Sequence, residues 1–217
     1  MKSALLFFLL FVTGASSGAQ ENIDSLLTVL DETVRNSDRY EERKIRSIAL
    51  IKEELASDIS LEKEYYINSR LYGEYEAYIC DSARHYVNRN IEIAVRLGRQ
   101  DWLNESKLKK AHLLATSGLY AEGVRLLETL DKGSLSANSL IDYYMAFENI
   151  YLYHAEYAQD DEYMPVYLKK MNVYRDSILQ LVPENTYRYV ITKGPGLVDE
   201  NRQKEAEELL TGFLVKV

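Results

Sequence analysis

The segment Ala111 to Leu130, AHLLATSGLYAEGVRLLETL, constrains this chain most. Apolar residues recur at helical spacing on both sides of Ser117-Gly118, so it reads as two short helices joined at a tight turn. Ala111 and Gly123 stand 12 residues apart. Small residues at that separation let two antiparallel helices approach closely, which is the device of a stacked helical-hairpin array. Such an array points to an extended surface rather than to an active site.

The rest of the chain agrees with an all-α fold. Its 217 residues suffice for one domain or a short solenoid. Only 3 Pro and 10 Gly interrupt it, and no long Val/Ile/Thr alternation suggests a sheet. Met1-Lys2, the apolar run Ala4 to Val12, and small residues Ser17 and Ala19 read as a secretory signal peptide over 1–19, cut after Ala19. The apolar run is far short of the roughly 20 residues of a membrane span, and nothing later reaches that length. Losing the leader, which carries one Lys and no acid, moves the formal charge from −8 to −9. An acidic chain without a basic stripe argues against nucleic acid and anionic membranes. Cys80, the single cysteine, has no internal disulfide partner and reads as a small buried residue.

The periodicity predicts an N-terminal helical pair over 20–60, with Ile23, Leu26, Leu27, Leu30 and Val34 on one face and a break at Asn36-Ser37-Asp38. Helical repeats follow over 61–182: Leu61 to Ile79 with Ser82 to Leu97, Gln100 to Thr116 with Leu119 to Leu130, and Ser136 to Ala158 with Pro165 to Leu181. Gly98 is the expected C-cap of its helix, and Pro165 suits a first turn. A short, imperfect repeat is expected over 183–217, its helices near Thr186 to Lys193 and Asp199 to Phe213. Gly194-Pro195-Gly196 should kink or spoil it, because an interior proline costs about 3 kcal/mol.

Register ties these pairs together. Aligning Cys80 to Val87, Tyr120 to Leu127 and Gln203 to Leu210 puts Ala83, Gly123 and Ala206 in one column. Twelve residues earlier stand Leu71, Ala111 and Gly194, two of the three small. Ala111, Gly118, Tyr120, Gly123 and Leu127 resemble the tetratricopeptide pattern of small, turn glycine, aromatic, small and large apolar residues. The wider order of segments, Leu30 to Ile48, Leu71 to Val87, Lys107 to Leu127 and Tyr151 to Ile178, resembles a Bacteroidetes-type family of secreted or membrane-anchored tetratricopeptide proteins, described as regulators with a domain of unknown function. The resemblance implies a right-handed superhelix of antiparallel helix pairs, an α-solenoid. Members of that family look longer, continuing into more helices, a membrane span and a cytoplasmic segment. This chain then corresponds to the N-terminal helical-repeat part, as a truncated gene, a fragment or a stand-alone sensing part.

Candidate chemistry is sparse. His85, His112 and His154 lie on different helices without HExxH or paired cysteines, so no metal ligand set is expected. Asp160-Asp161-Glu162 lacks the spaced oxygens of a calcium loop and reads as a helix cap. No phosphate loop, nucleophile motif or cofactor fingerprint occurs, and catalytic, cofactor and metal residues are expected to be none. Asn104-Glu105-Ser106 sits in a predicted helix and carries no weight as a glycosylation acceptor. The 18 tyrosines, against 5 Phe and 1 Trp, are too many for all to be buried. In the resembled fold the first helix of each pair lines a concave face. By register that face takes Tyr65, Asn68, Tyr72, Tyr75 and Glu76, then Glu105, His112 and Thr116. Ala83, Ala111, Gly118, Gly123, Gly194 and Ala206 are expected to serve repeat packing.

The expected function is a non-enzymatic module of the cell envelope that binds or senses a protein or peptide, exported to the periplasm. Two other readings stand beside it: a glycan-binding accessory protein of the outer surface, which one Trp and no anchor cysteine count against, and the sensing half of a truncated membrane-anchored regulator.

Overall fold

The computed structural model describes residues 17–214, apart from 57 and 159. Most of the expected signal peptide, residues 1–16, lies outside the described residues, and the first helix starts at Ser17, ahead of the expected cut. The described residues form ten α-helices and no strand. They are α1 (Ser17–Arg35), α2 (Ser37–Glu53), α3 (Leu61–Tyr75), α4 (Cys80–Leu97), α5 (Gln100–Thr116), α6 (Tyr120–Glu128), α7 (Ala137–Ala158), α8 (Met164–Leu181), α9 (Tyr187–Asp199) and α10 (Gln203–Leu214). This is the all-α solenoid that the repeat register implies. No described helix is long and apolar enough to cross a membrane.

The chain divides into two compact units, Met1–Leu50 and Ile51–Val217. The first holds α1 and most of α2. The expected break at Asn36-Ser37-Asp38 shrinks to Asn36 alone, and the Tyr40 amide donates to the Asn36 carbonyl at 3.2 Å. Ile23, Leu26, Leu27, Leu30 and Val34 are each more than half exposed.

The second unit stacks four helix pairs. α3 packs on α4, α5 on α6, α7 on α8 and α9 on α10, while α4 packs on α5, α8 on α9, and α7 on both α5 and α6. Turn chemistry makes the reversals. Gly98 and Gly118 take φ of 65° and 76°, which only glycine adopts cheaply. Asp160 Oδ1 accepts from the Glu162 and Tyr163 amides at 3.0 and 2.6 Å, ahead of α8 with Pro165 in its first turn. The α3–α4 reversal comes early, at Tyr75 rather than Ile79, although the sequence there contains no breaker. On the two sides of this reversal Leu71 and Ala83 are both fully buried, and burying a large apolar side chain contributes about 1.5–3 kcal/mol. Cys80 is half-buried in the first turn of α4 rather than in the core, its thiol 3.0 Å from Ser117 Oγ.

The largest core lies between α5, α6, α7 and α8, with Ala111, Leu127 and Ile150 fully buried. Gly123 faces it. A Cβ there would sit 2.9 Å from Ile150 Cδ1 and 3.7 Å from the Ala111 carbonyl oxygen. Ala206 is buried in α10.

The last pair departs from expectation. α9 does not stop at Lys193; it continues through Pro195 to Asp199. Gly194 is buried, yet no atom lies within 4 Å of where its Cβ would be, so its small size is not set by a neighbouring helix. A residue before proline is kept out of the helical region by its own Cβ against the proline Cδ, and Gly194 has no Cβ. Gly196 has a different role. A Cβ there would meet the Arg175 side chain at 3.3 Å. Arg175 is buried on α8, where Nε donates to Glu148 of α7 at 2.9 Å and Nη1 to Asp199 of α9 at 3.0 Å. Burial pushes the Glu148 carboxyl above its usual range, against the pull of Arg175. The ion pair thus joins three helices, and the glycine leaves room for it.

Arg175→Met should cost about 3–5 kcal/mol, because Glu148 then stays buried as an unpaired charge. Arg175→Met with Glu148→Gln should cost clearly less. Urea unfolding of the three proteins checks this, and equal losses in the single and double variants would show that the unpaired carboxylate is not the cause.

Candidate binding groove

The first helices of the four pairs in the second unit share an open groove of about 800 Å³. α3 contributes Ser69, Tyr72 and Gly73, with Glu76 just beyond its end; α5 contributes Asp101, Trp102, Glu105, Leu108, Lys109 and His112. α7 contributes Ser139, Asp142, Met145, Ala146 and Asn149, and α9 contributes Arg188. Each set recurs at three- or four-residue spacing, so it is one face of its helix.

Of the eight residues placed on this face by register, Tyr72, Glu76, Glu105 and His112 line the groove. Tyr65, Asn68 and Tyr75 do not; all three are buried. The lining stripe is 69, 72 and 73 of α3 with 76 just beyond its end, turned by about one residue from the expected 65, 68, 72 and 75, while Glu76 was expected and is present. The reason is energetic. The predicted stripe carries the large rings, and those go where the most area is removed from water. Tyr65 stacks on Trp102 with ring centroids 4.1 Å apart, and Tyr75 stacks on Tyr86 at 5.7 Å. Thr116 lies beyond the groove, in a separate pocket at the end of α5.

Asp142, Asn149 and Arg188 have no counterpart in the register, which was carried only across α3 and α5. A usable signal existed: Ser139, Asp142 and Asn149 are polar positions at three- and seven-residue spacing on a helix otherwise rich in aromatic residues.

The groove carries charge, and much of it is paired internally. Lys109 Nζ meets Glu105 at 2.6 Å, and Arg188 of α9 meets Asp142 of α7 at 2.9 Å. Asp101 is held by Arg99 at 2.7 Å, and that hydrogen bond keeps its carboxyl below the usual range. Four carboxylates therefore face two cations, both engaged, and Glu76 has no ion-pair partner among the described residues. Trp102 is only 7% exposed: Tyr65 stacks on it and the Arg99 guanidinium lies 4.3 Å from its centroid. The Tyr65 hydroxyl donates to the Trp102 carbonyl at 3.3 Å, with Ser106 Oγ at the same distance. Among the described residues no cluster of three or more His, Cys, Asp or Glu side chains could hold a metal ion.

Burial pushes the Tyr65 hydroxyl up from its ordinary value of 10.0 to about 12, and Tyr72 moves the same way for the same reason. A folded value above the unfolded one means stability that is complete below pH 10 and lost as pH rises towards 12. For Tyr65 alone the loss should be on the order of 2–3 kcal/mol. Urea midpoints measured between pH 9 and 12 should fall in the wild type and fall less steeply in Tyr65→Phe; parallel slopes would remove Tyr65 from the account.

Among known proteins, residues 34–217 match the family described as the SusR N-terminal TPR domain. No curated protein and no solved structure matches the chain. Domains of the tetratricopeptide type are interaction scaffolds and generally not catalysts. The match covers the whole second unit, groove and all four helix pairs included, and the chain belongs to the SusR N-terminal TPR domain family.

Proposed function

We propose that this protein is a non-enzymatic binding module of the cell envelope that seats a basic segment of a partner protein along the groove of α3, α5, α7 and α9. The observation that carries the reading is the charge of the groove. Both of its cations are engaged by Glu105 and Asp142, whereas Glu76, at one end, has the Tyr72 hydroxyl beside it and no ion-pair partner among the described residues. An incoming anion meets no free cation there. A Lys or Arg side chain gains an acceptor at Glu76, and the acidic chain, formally −8, attracts a basic partner over longer range. Asn149 supplies an amide in mid-groove that can pair with an extended backbone. A ligand lying along the groove touches four helix pairs, so its binding energy opposes any bending between them.

The signal-peptide reading of residues 1–19 puts this module in the periplasm, and the family supports an envelope setting. A sugar ligand is less well served. Glycan sites present an open aromatic face, and the single Trp is covered by Tyr65 and Arg99. Catalysis lacks an arrangement here: Ser139 Oγ sits 2.9 Å from Ser136 Oγ, not beside a base.

The test is capture of partners from envelope extract by wild type and by Glu76→Lys, an exposed change that leaves the core untouched. The charge reversal should lose the main partner, and added salt should weaken the wild-type complex. Identical partner sets from both proteins would reject the groove.

A further inference from the structure

A second pocket, separate from the groove, lies where the end of α5 and the start of α6 meet the last turns of α7. It measures about 450 Å³ and is lined by Tyr120, Tyr153, Tyr157 and Glu156, with Ala115 and Thr116 at its floor and edge. We propose that it binds an organic cation, an alkylated ammonium or guanidinium group, held between tyrosine faces and the Glu156 carboxylate.

The composition comes first. Three phenol rings and one carboxylate line the pocket, and no Lys or Arg does. The negative faces of aromatic rings attract a cation within about 6 Å of the ring centroid. The Tyr120 and Tyr157 centroids are 6.5 Å apart with their planes inclined by 57°, so a cation seated in the angle between the two planes comes within reach of both rings. A carboxylate beside such rings adds attraction of the same sign.

The rings are also held in place. Tyr120 stacks on His154 at 4.7 Å, and His154 stacks on Tyr167 at 3.9 Å. One face of Tyr120 is therefore fixed against the protein and the other is left for the pocket. Burial and the nearby Lys170 push the His154 pKa down, so the imidazole behind Tyr120 stays neutral and does not compete as a cation. Tyr153 is half-buried against the main core, which anchors the second ring. Tyr157 is 80% exposed, so its ring is open to a ligand.

At five other rings the protein supplies its own cation. Arg43 lies over Tyr40, Lys52 over Tyr75, Arg99 over Trp102, Lys109 over Tyr72 and Lys170 over Tyr151. Among the described residues no such partner sits over Tyr120, Tyr153 or Tyr157, and Glu156 has no ion pair. No cation of the described residues occupies the pocket's rings, which leaves them open to one from outside.

The experiment is an NMR titration of the full chain with choline and with 3,3-dimethylbutan-1-ol, its neutral isostere, beside N-acetyl-arginine amide. The expected result is millimolar binding of at least one cation, with the neutral isostere at least tenfold weaker. Tyr157→Ala should weaken the cation at least fivefold, Tyr157→Phe should keep it, and Glu156→Gln should weaken it severalfold. Because Tyr157 is exposed, these variants keep the fold, which circular dichroism verifies. Tighter choline supports a free ligand, and tighter acetyl-arginine amide supports a protein side chain. Equal binding of the neutral isostere, no binding of either cation below about 100 mM, or an unchanged affinity in Tyr157→Ala would overturn the proposal. The groove reading is unaffected by any of these, since Glu76 lies elsewhere.

Discussion

The close approach at Gly123 is the contact on which the second unit depends. With no side chain there, α6 can bring its backbone against the Ala111 carbonyl and the Ile150 side chain together. That single approach lets α6 pack on both α5 and α7. It follows that α5 and α7 become direct neighbours, and their exposed faces form one continuous wall. Close-packed interiors transmit such a constraint because they have almost no slack. A side chain at position 123 must shift the end of the Ile150 side chain, which is fully buried.

On that wall the ion pairs have two effects. Arg188–Asp142 links α9 to α7 across the groove, and Lys109–Glu105 runs along α5. Exposed pairs of this kind contribute little to stability, typically about 0–1 kcal/mol each. Their larger consequence is for recognition, since they use up the groove's cations and leave it acidic. The buried Arg175 has the opposite balance. Desolvating it is costly, and Glu148 and Asp199 compensate only with all three side chains in place. It holds the last pair to the rest of the unit, which is why α9 tolerates a proline in its interior.

The N-terminal unit keeps its apolar stripe on α1 in view, whereas many tyrosines of the second unit are drawn inward. Tyr143, Phe147, Tyr151, Tyr167 and Tyr174 form a run of stacked and edge contacts between α7 and α8. Such contacts are worth more than area alone, because the rings' quadrupoles favour offset and edge arrangements. This accounts for four of the 18 tyrosines without a ligand. Tyr157 is left out of that core and remains at the surface.

The sequence by itself determined the helix content, the pairing, most turn positions and the small-residue column at Ala83, Gly123 and Ala206. These follow from local spacing, and local spacing is what periodicity and turn residues encode. Glu105 and His112, expected on the concave face, line the groove of α5. Only the tertiary structure decided which stripe of α3 faces the groove. A rotation of one residue is about 100° on a helix, and a stripe of rings at Tyr65, Tyr72 and Tyr75 with Asn68 among them does not say whether it seeks a partner or the core. It likewise decided that α9 runs through Pro195. The compensation there is Gly194's missing Cβ and the room that Gly196 leaves for Arg175, 21 residues earlier in the chain. Contacts between residues far apart in sequence leave no local trace, and the geometry of both pockets rests on such contacts.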